Sequence, residues 1–283
     1  MASVRLEVSS SGMPLSLSML WGDLGIPMLV ITPGPEDARR LYEQLVTWGG
    51  REDLVFHFPE TETLPFERQI PDLNTAQQRL SVLSSLTSND SSAPMIVAST
   101  AALKQKTIGE GLFKSVSLTF RTNQRLDFDQ TLALLIQMGY EFEPVVEVPG
   151  SASRRGGILD IFSVDSQSPV RIELWGDEIE TIRMFDPITQ RSIELVDSVD
   201  IIPAQETLPG LTGSENLERI LASIDISYCN PVTRERLLEE FDLLNAKHHV
   251  EDLDFFSGIF NYGSVTDYFP QDSLMVMCRP YEI

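Results

Sequence analysis

The sequence predicts an α/β protein that carries an inserted, antiparallel, β-rich (α+β) domain. Short apolar runs alternate with helical periodicity through the first third of the 283 residues, which is typical of a parallel sheet covered by helices. From about Ser117 closely spaced strands replace this pattern and indicate an antiparallel sheet. Helical periodicity returns after Pro209, and a last apolar run, Ser273–Cys278, could rejoin the first sheet.

The first third contains three predicted strands separated by helices. Pro27–Thr32 is an apolar strand that ends at the turn Pro33-Gly34-Pro35, and Ala38, Leu41 and Leu45 then recur at helical spacing until Gly49-Gly50. The elements predicted next are the strand Leu54–Phe58, the helix Thr75–Leu86 and the strand Met95–Ser99.

The middle of the chain is predicted to be rich in strands. After a helix over Thr131–Met138, the predicted strands are Val145–Val148, Ile158–Phe162, Val170–Trp175, Glu178–Phe185 and Ser198–Ile202. Gly176-Asp177 has the length and composition of a two-residue hairpin turn. The helices predicted after this region are Leu217–Ile224 and Pro231–Leu244.

Composition excludes several classes of protein. The chain has 42 acidic and 21 basic residues and a formal charge of −21, so sequence-independent binding to a phosphate backbone is a poor candidate for its main activity. Cys229 and Cys278 are far apart and suggest neither a disulfide framework nor a zinc site. No signal peptide and no apolar run of about 20 residues is found, so we expect a cytoplasmic protein without a membrane partner.

The strand before the hairpin turn has two distinct faces. Alternation places Val170, Ile172 and Leu174 on one face and Arg171, Glu173 and Trp175 on the other. An exposed Trp beside a charged pair is typical of a protein-protein hot spot. The alternative interpretation is a solvated face with one cross-strand ion pair.

Four segments of the middle region carry a resemblance, namely Met138–Gly150, Arg154–Phe162, Arg171–Glu180 and Phe185–Arg191. Together they resemble the insert domain of a known family, that of UvrB and the transcription-repair coupling factor Mfd. The segments Pro59–Phe66, Arg79-Leu80 and Ser99–Lys106 are similar to the N-terminal module of Mfd in particular. The resemblance therefore covers essentially the whole chain.

The resemblance implies a three-part organisation. Residues 1–117 and 209–283 would form a helicase-like α/β layer with a degenerate nucleotide (P-loop-type) fold, and residues 118–208 would form the inserted domain that docks UvrA, the damage-sensing ATPase of nucleotide excision repair. The chain would be the N-terminal part of a longer protein, whose later regions bind RNA polymerase and translocate along DNA using ATP.

The resemblance also implies which residues contact UvrA, namely Arg155, Arg171, Glu173 and Trp175. UvrB has a further arginine where this chain has Ser153, so the extent of the basic patch is open. The side of the sheet that Arg155 faces is open too, because Gly156-Gly157 could form a bulge. Removing Arg155 or Arg171 is expected to weaken UvrA binding by at least about tenfold with little effect on folding.

An ATP site is not expected in this chain. A P-loop needs a lysine and a Ser/Thr in a glycine-rich turn, yet Val8–Ser16 has one glycine and no lysine, and Lys104 is the first lysine of the sequence. The apolar run Leu274–Cys278 is not followed by the acidic pair that would hold magnesium. We therefore expect no catalytic residues, cofactor or metal. The alternatives are an active UvrB-type, ATP-dependent damage-verification subunit and an α/β protein with a small-molecule cleft at a sheet switch point.

The sequence contains three weaker candidate sites. His248-His249 with Glu251, Asp252 and Asp254 could suggest a metal, but adjacent helical histidines point in different directions. His57 lies within an apolar strand and is expected to be a packed residue. The carboxylates Glu60, Glu62 and Glu67 have no basic or nucleophilic neighbour in the sequence and are expected to be surface residues.

Overall fold

A computed structural model describes residues 4–61, 72–88, 93–246, 248, 250 and 253–282 of the chain. Its helices are α1 (Met13–Leu24), α2 (Pro35–Gly49), α3 (Leu73–Thr87), α4 (Thr100–Lys104), α5 (Glu110–Val116), α6 (Phe128–Gln137), α7 (Ser214–Ala222), α8 (Pro231–Asn245) and α9 (Ser257–Phe260). Its strands are β1 (Met28–Thr32), β2 (Val55–Phe58), β3 (Met95–Ser99), β4 (Leu118–Arg121), β5 (Glu141–Phe142), β6 (Ser151–Arg155), β7 (Ile158–Ile161), β8 (Val170–Trp175), β9 (Glu178–Phe185), β10 (Ser192–Leu195), β11 (Ser198–Ile201) and β12 (Leu274–Met277).

The first compact unit comprises the described residues of Met1–Glu62, Asp72–Gln105 and Ser264–Ile283. It contains a parallel sheet with strand order β12-β1-β3-β2. Strands β1 and β3 are buried along their whole length, which explains why they read as unbroken apolar runs. The last strand pairs with β1 from Met28 opposite Leu274 onward, so the prediction that the end of the sequence rejoins the first sheet is confirmed.

Helix α1 is not among the elements that the sequence predicts. Its apolar residues Leu15, Leu17, Met19 and Trp21 alternate with other residues as they would in a strand. In the helix Leu17 and Trp21 lie one turn apart and enter the core beside α2, while Leu15 and Met19 are exposed. The spacing of these apolar residues fits the repeat of a strand as well as that of a helix. The helix forms because it buries Leu17 and Trp21 together in the core.

The second compact unit contains the described residues of Lys106–Gly263. Its six-stranded sheet has the order β10-β9-β8-β7-β6-β5, antiparallel except for the β5–β6 pair, and β4 pairs with β11 in a separate two-stranded sheet. The predicted α/β class, with one parallel sheet and an antiparallel, β-rich region, is confirmed. The division at residues 117 and 208 stays a prediction.

One predicted strand, Val145–Val148, is wrong. Prolines flank the segment on both sides, and proline lacks the N–H that a ladder needs. Val146 is instead buried against Phe162 and Phe185, and its carbonyl accepts a hydrogen bond from the Gln190 side chain. The segment covers part of the sheet rather than extending it, and the strand of this region is β6, which follows it.

The helices after Pro209 have the predicted positions within a few residues. Helices α7 and α8 pack through Leu217, Leu221, Leu237 and Phe241 into a separate apolar cluster. Among the helices that the structure describes, none is both long and apolar enough to cross a membrane.

Candidate functional site

The Gly156-Gly157 turn determines on which face of the six-stranded sheet Arg155 lies. Gly156 has a φ of 62°, and Gly156-Gly157 connects Arg155 directly to its cross-strand partner Ile158. The glycine pair is therefore a two-residue turn, and the bulge considered for this position is absent. Because cross-strand partners point to the same side, Arg155 lies on the face of Ile158 and of Glu173, the partner of Ile158 on β8.

All four predicted docking residues lie on this one face. Arg171, Glu173 and Trp175 alternate along β8, and Arg155 joins them through the register described above. We use the name charged face for the surface formed by these four residues together with Asp160, Thr181 and Arg183. Whether UvrA contacts these residues stays a prediction.

Arg171 is held in the most buried ion pair of the charged face. Its Nε and Nη2 donate hydrogen bonds of 2.7 and 2.8 Å to the two carboxylate oxygens of Asp160, whose side chain is 1% exposed. The guanidinium also lies over the ring of Phe185, 4.7 Å from its centre. Hydrogen bonding to Asp160 raises the pKa of Arg171, so the charge of this side chain is permanent.

The expectation that Arg171 is an exposed side chain is wrong. Only 19% of the side chain is accessible, because the ring of Phe185 and the carboxylate of Asp160 enclose it. Removing the arginine would leave a buried carboxylate without its partner, which is a strongly destabilising change. Removal of Arg171 is therefore expected to impair folding, contrary to the expectation from the sequence.

Arg155 and Trp175 are the exposed members of the charged face. The Arg155 Nη2 donates a 2.9 Å hydrogen bond to the carbonyl of Pro144, and no carboxylate of the described residues forms an ion pair with it. Trp175 precedes the Gly176 turn and is 81% exposed. A cation and a large aromatic ring are thus both accessible near the glycine turns.

Glu173 and Arg183 form an ion pair that is longer and more exposed than the pair of Arg171 with Asp160. The Arg183 Nη2 lies 3.4 Å from the Glu173 Oε2, and the same carboxylate oxygen accepts a 2.7 Å hydrogen bond from the Thr181 hydroxyl. About a third of each charged side chain is exposed, so solvent screens their attraction.

Arg154 points away from the charged face, as expected for the neighbour of Arg155 on a strand. Its cross-strand partner is the buried residue Leu159. The guanidinium lies over the ring of Phe128 at the start of α6, and its Nη1 is 3.4 Å from a carboxylate oxygen of Asp129. Arg154 is therefore a suitable control for substitutions on the charged face.

The weaker candidates from the sequence, as far as the structure describes them, do not form a cluster of charged and aromatic side chains like that of the charged face. His57 stacks on Tyr42 with ring centres 5.7 Å apart, and burial lowers the pKa of its imidazole, as expected for a packed residue. Glu60 accepts a 3.0 Å hydrogen bond from Ser99. No group of His, Cys, Asp or Glu among the described residues could hold a metal, while Glu62, Glu67, His249, Glu251 and Asp252 lie outside those residues.

Sequence reasoning missed three members of the charged face, namely Thr181 and the charged residues Asp160 and Arg183. Asp160 interrupts the apolar run of β7, and a carboxylate inside such a run is a signal for a buried partner. The alternation of side chains along β9 indicates the face on which Arg183 lies. Its position opposite Arg171, however, depends on the register between β8 and β9.

Comparison with known proteins shows what this region and the whole chain are similar to in sequence. Residues 118–206 match the model of the UvrB interaction domain family. A transcription-repair-coupling factor of Myxococcus xanthus is 34% identical over 197 residues, which cover 68% of this chain and 16% of that protein. A transcription-repair-coupling factor of Bacillus subtilis is 28% identical over 95% of this chain and 24% of that protein.

The related protein UvrB matches as well. UvrABC system protein B of Thermosipho africanus is 25% identical over 95% of this chain and 45% of that protein. The chain spans less than a quarter of the length of the two coupling factors named above. Residues 118–206 thus match the UvrB interaction domain family, and the chain as a whole is similar to part of the transcription-repair-coupling factors and of UvrB.

Proposed function

We propose that this chain is a non-catalytic, cytoplasmic adaptor that recruits nucleotide excision repair to stalled RNA polymerase. It binds UvrA through four residues of the charged face, Arg155, Arg171, Glu173 and Trp175. Contacts with RNA polymerase and DNA belong, in this proposal, to other regions of a longer protein. Support comes from the match of residues 118–206 to the UvrB interaction domain and from the coupling factors that resemble the chain.

The observation that carries the proposal is the accessibility of Arg155 beside Trp175 and Glu173 on one face. Trp and Arg are the residues that most often dominate protein-protein binding energies. Arg155 has no carboxylate partner among the described residues, so a carboxylate of UvrA can bind it without first displacing an internal one. Trp175 supplies a large apolar area that is exposed in the free chain.

The proposal assigns no nucleotide chemistry to the parallel sheet. We regard this unit as a helicase-like layer whose ATP site has degenerated, because Val8–Ser16 has no lysine to reach the phosphates. The segment leads into α1 through Gly12, whose amide is hydrogen-bonded to the carbonyl of Ser9. No cofactor or metal is needed for the proposed function.

A binding assay with purified UvrA tests the proposal. We expect the parent chain to bind, and Arg155→Ala to weaken binding by at least about tenfold, or about 1.4 kcal/mol. The matched control is Arg154→Ala, which removes the same charge from the opposite face and is expected to change the affinity by less than about twofold. Failure of the parent to bind UvrA, or equal losses for both variants, would reject the docking assignment.

A further inference from the structure

Two arginines face each other on the charged face. Arg171 on β8 and Arg183 on β9 are direct cross-strand partners. Like charges in this position destabilise a sheet unless carboxylates neutralise them. Asp160 does so fully for Arg171, through two short hydrogen bonds. Arg183 has no such arrangement.

The guanidinium of Arg183 is only partly engaged. Its contacts among the described residues are the 3.4 Å approach to Glu173 and a 3.4 Å hydrogen bond from its Nε to the Thr181 hydroxyl. Glu173 is itself shared with Thr181. Since a guanidinium has five N–H donors in a planar fork, Arg183 keeps the capacity to bind a carboxylate in the bidentate manner.

An exposed apolar residue lies next to Arg183. Leu195 is its cross-strand partner on the edge strand β10 and is 68% exposed. Counting from β6 to β10, the face presents Arg155, then Glu173 with Trp175, then Arg183, and finally Leu195. The arrangement is a row of accessible charges with an apolar side chain toward the edge.

We propose that Arg183 and Leu195 extend the docking surface to the edge strand, where they bind a carboxylate and an adjacent apolar side chain of the partner. Arg171 is then a positioning residue, which neutralises Asp160 beneath the surface and keeps β7 and β8 in place. This inference rests on the proposed function, because it identifies further contacts of the same face.

The chemistry of the surface favours a protein over a nucleic acid. A phosphate backbone would also attract Arg183, but the chain as a whole has a formal charge of −21, which repels a polyanion at distances not screened by salt. The exposed Trp175 and Leu195 gain from burial against apolar groups, which a phosphate backbone does not provide. An acidic surface patch with an apolar neighbour satisfies both kinds of residue.

The test compares Arg183→Gln with Arg154→Gln in the full chain, using purified UvrA. The pair is closely matched: each arginine is 3.4 Å from one carboxylate, and 37% and 47% of the respective side chains are exposed. We expect Arg183→Gln to weaken UvrA binding by about tenfold and Leu195→Ser by severalfold, with the affinity of Arg154→Gln within about twofold of the parent.

A lysine variant separates docking from a structural role of the ion pair. Arg183→Lys keeps a cation beside Glu173 but lacks the planar fork that binds a carboxylate in the bidentate manner. If Arg183 docks, this variant binds UvrA more weakly than the parent, close to Arg183→Gln. If the pair only stabilises the sheet, the lysine restores binding, and the inference is wrong.

The outcomes distinguish this inference from the proposed function. If UvrA affinity is unchanged in Arg183→Gln but reduced in Arg155→Ala, the extension of the docking surface to Arg183 and Leu195 is rejected. The proposed docking through Arg155 is then retained. Absence of UvrA binding by the parent rejects both. A loss of affinity for duplex DNA in Arg183→Gln, without a loss for UvrA, would assign the arginine to a phosphate backbone and also reject the inference.

Discussion

Removal of Arg171 is predicted to destabilise the second unit strongly, whatever its effect on docking. In Arg171→Ala the carboxylate of Asp160, which is 1% exposed, loses both of its guanidinium hydrogen bonds. Removing one partner of a buried ion pair typically costs about 3–5 kcal/mol, because the remaining charge stays desolvated. For a domain of this size that corresponds to a fall in the melting temperature of about 6–20 °C.

The assay is chemical and thermal unfolding followed by circular dichroism, with three variants measured beside the parent. Arg183→Ala is the matched control, since it removes the opposing arginine but breaks only a 3.4 Å, partly exposed contact, and it should cost less than about 1 kcal/mol. The double variant Asp160→Leu with Arg171→Met removes both charges and should recover most of the loss, because apolar residues of similar size often replace a buried pair without cost.

The reasoning fails if Arg171→Ala costs no more than Arg183→Ala. That result would mean that water reaches Asp160 in the variant and that the pair is not desolvated. It would also mean that a loss of UvrA binding in Arg171→Ala can be read directly as lost contact. A large loss of stability instead requires that binding by this variant be measured well below its melting temperature.

Three further predictions concern the rest of the chain. Calorimetry with ATP and magnesium should give no saturable signal, because Val8–Ser16 has no lysine, and a stoichiometric signal would support a UvrB-type ATP site instead. Binding to undamaged duplex DNA at physiological salt should be weaker than micromolar for a chain of charge −21, and submicromolar affinity would contradict the adaptor proposal. Burial raises the pKa of the Cys278 thiol to about 11, so at pH 8 a thiol reagent should modify Cys229 first and reach Cys278 only after unfolding; equal rates in the native chain would show that β12 opens readily.

The strands of the parallel sheet and the faces of the β8–β9 hairpin follow from the sequence by itself. Short apolar runs such as Met95–Ser99 predict the buried strands of a parallel sheet. The alternation of Val170–Trp175 assigns Arg171, Glu173 and Trp175 to one side, because successive side chains along a strand point to opposite faces. The missing lysine of Val8–Ser16 is likewise a property of the sequence alone.

Only the tertiary structure decided which of these side chains are accessible. Arg155 and Arg171 look equivalent in the sequence, yet one is exposed and the other is enclosed by Asp160 and Phe185. The difference arises from the register between β7, β8 and β9, which brings together residues that are distant along the chain. Local spacing carries no information on such cross-strand partners. For the same reason Arg183 is a candidate docking residue only once its position opposite Arg171 is known.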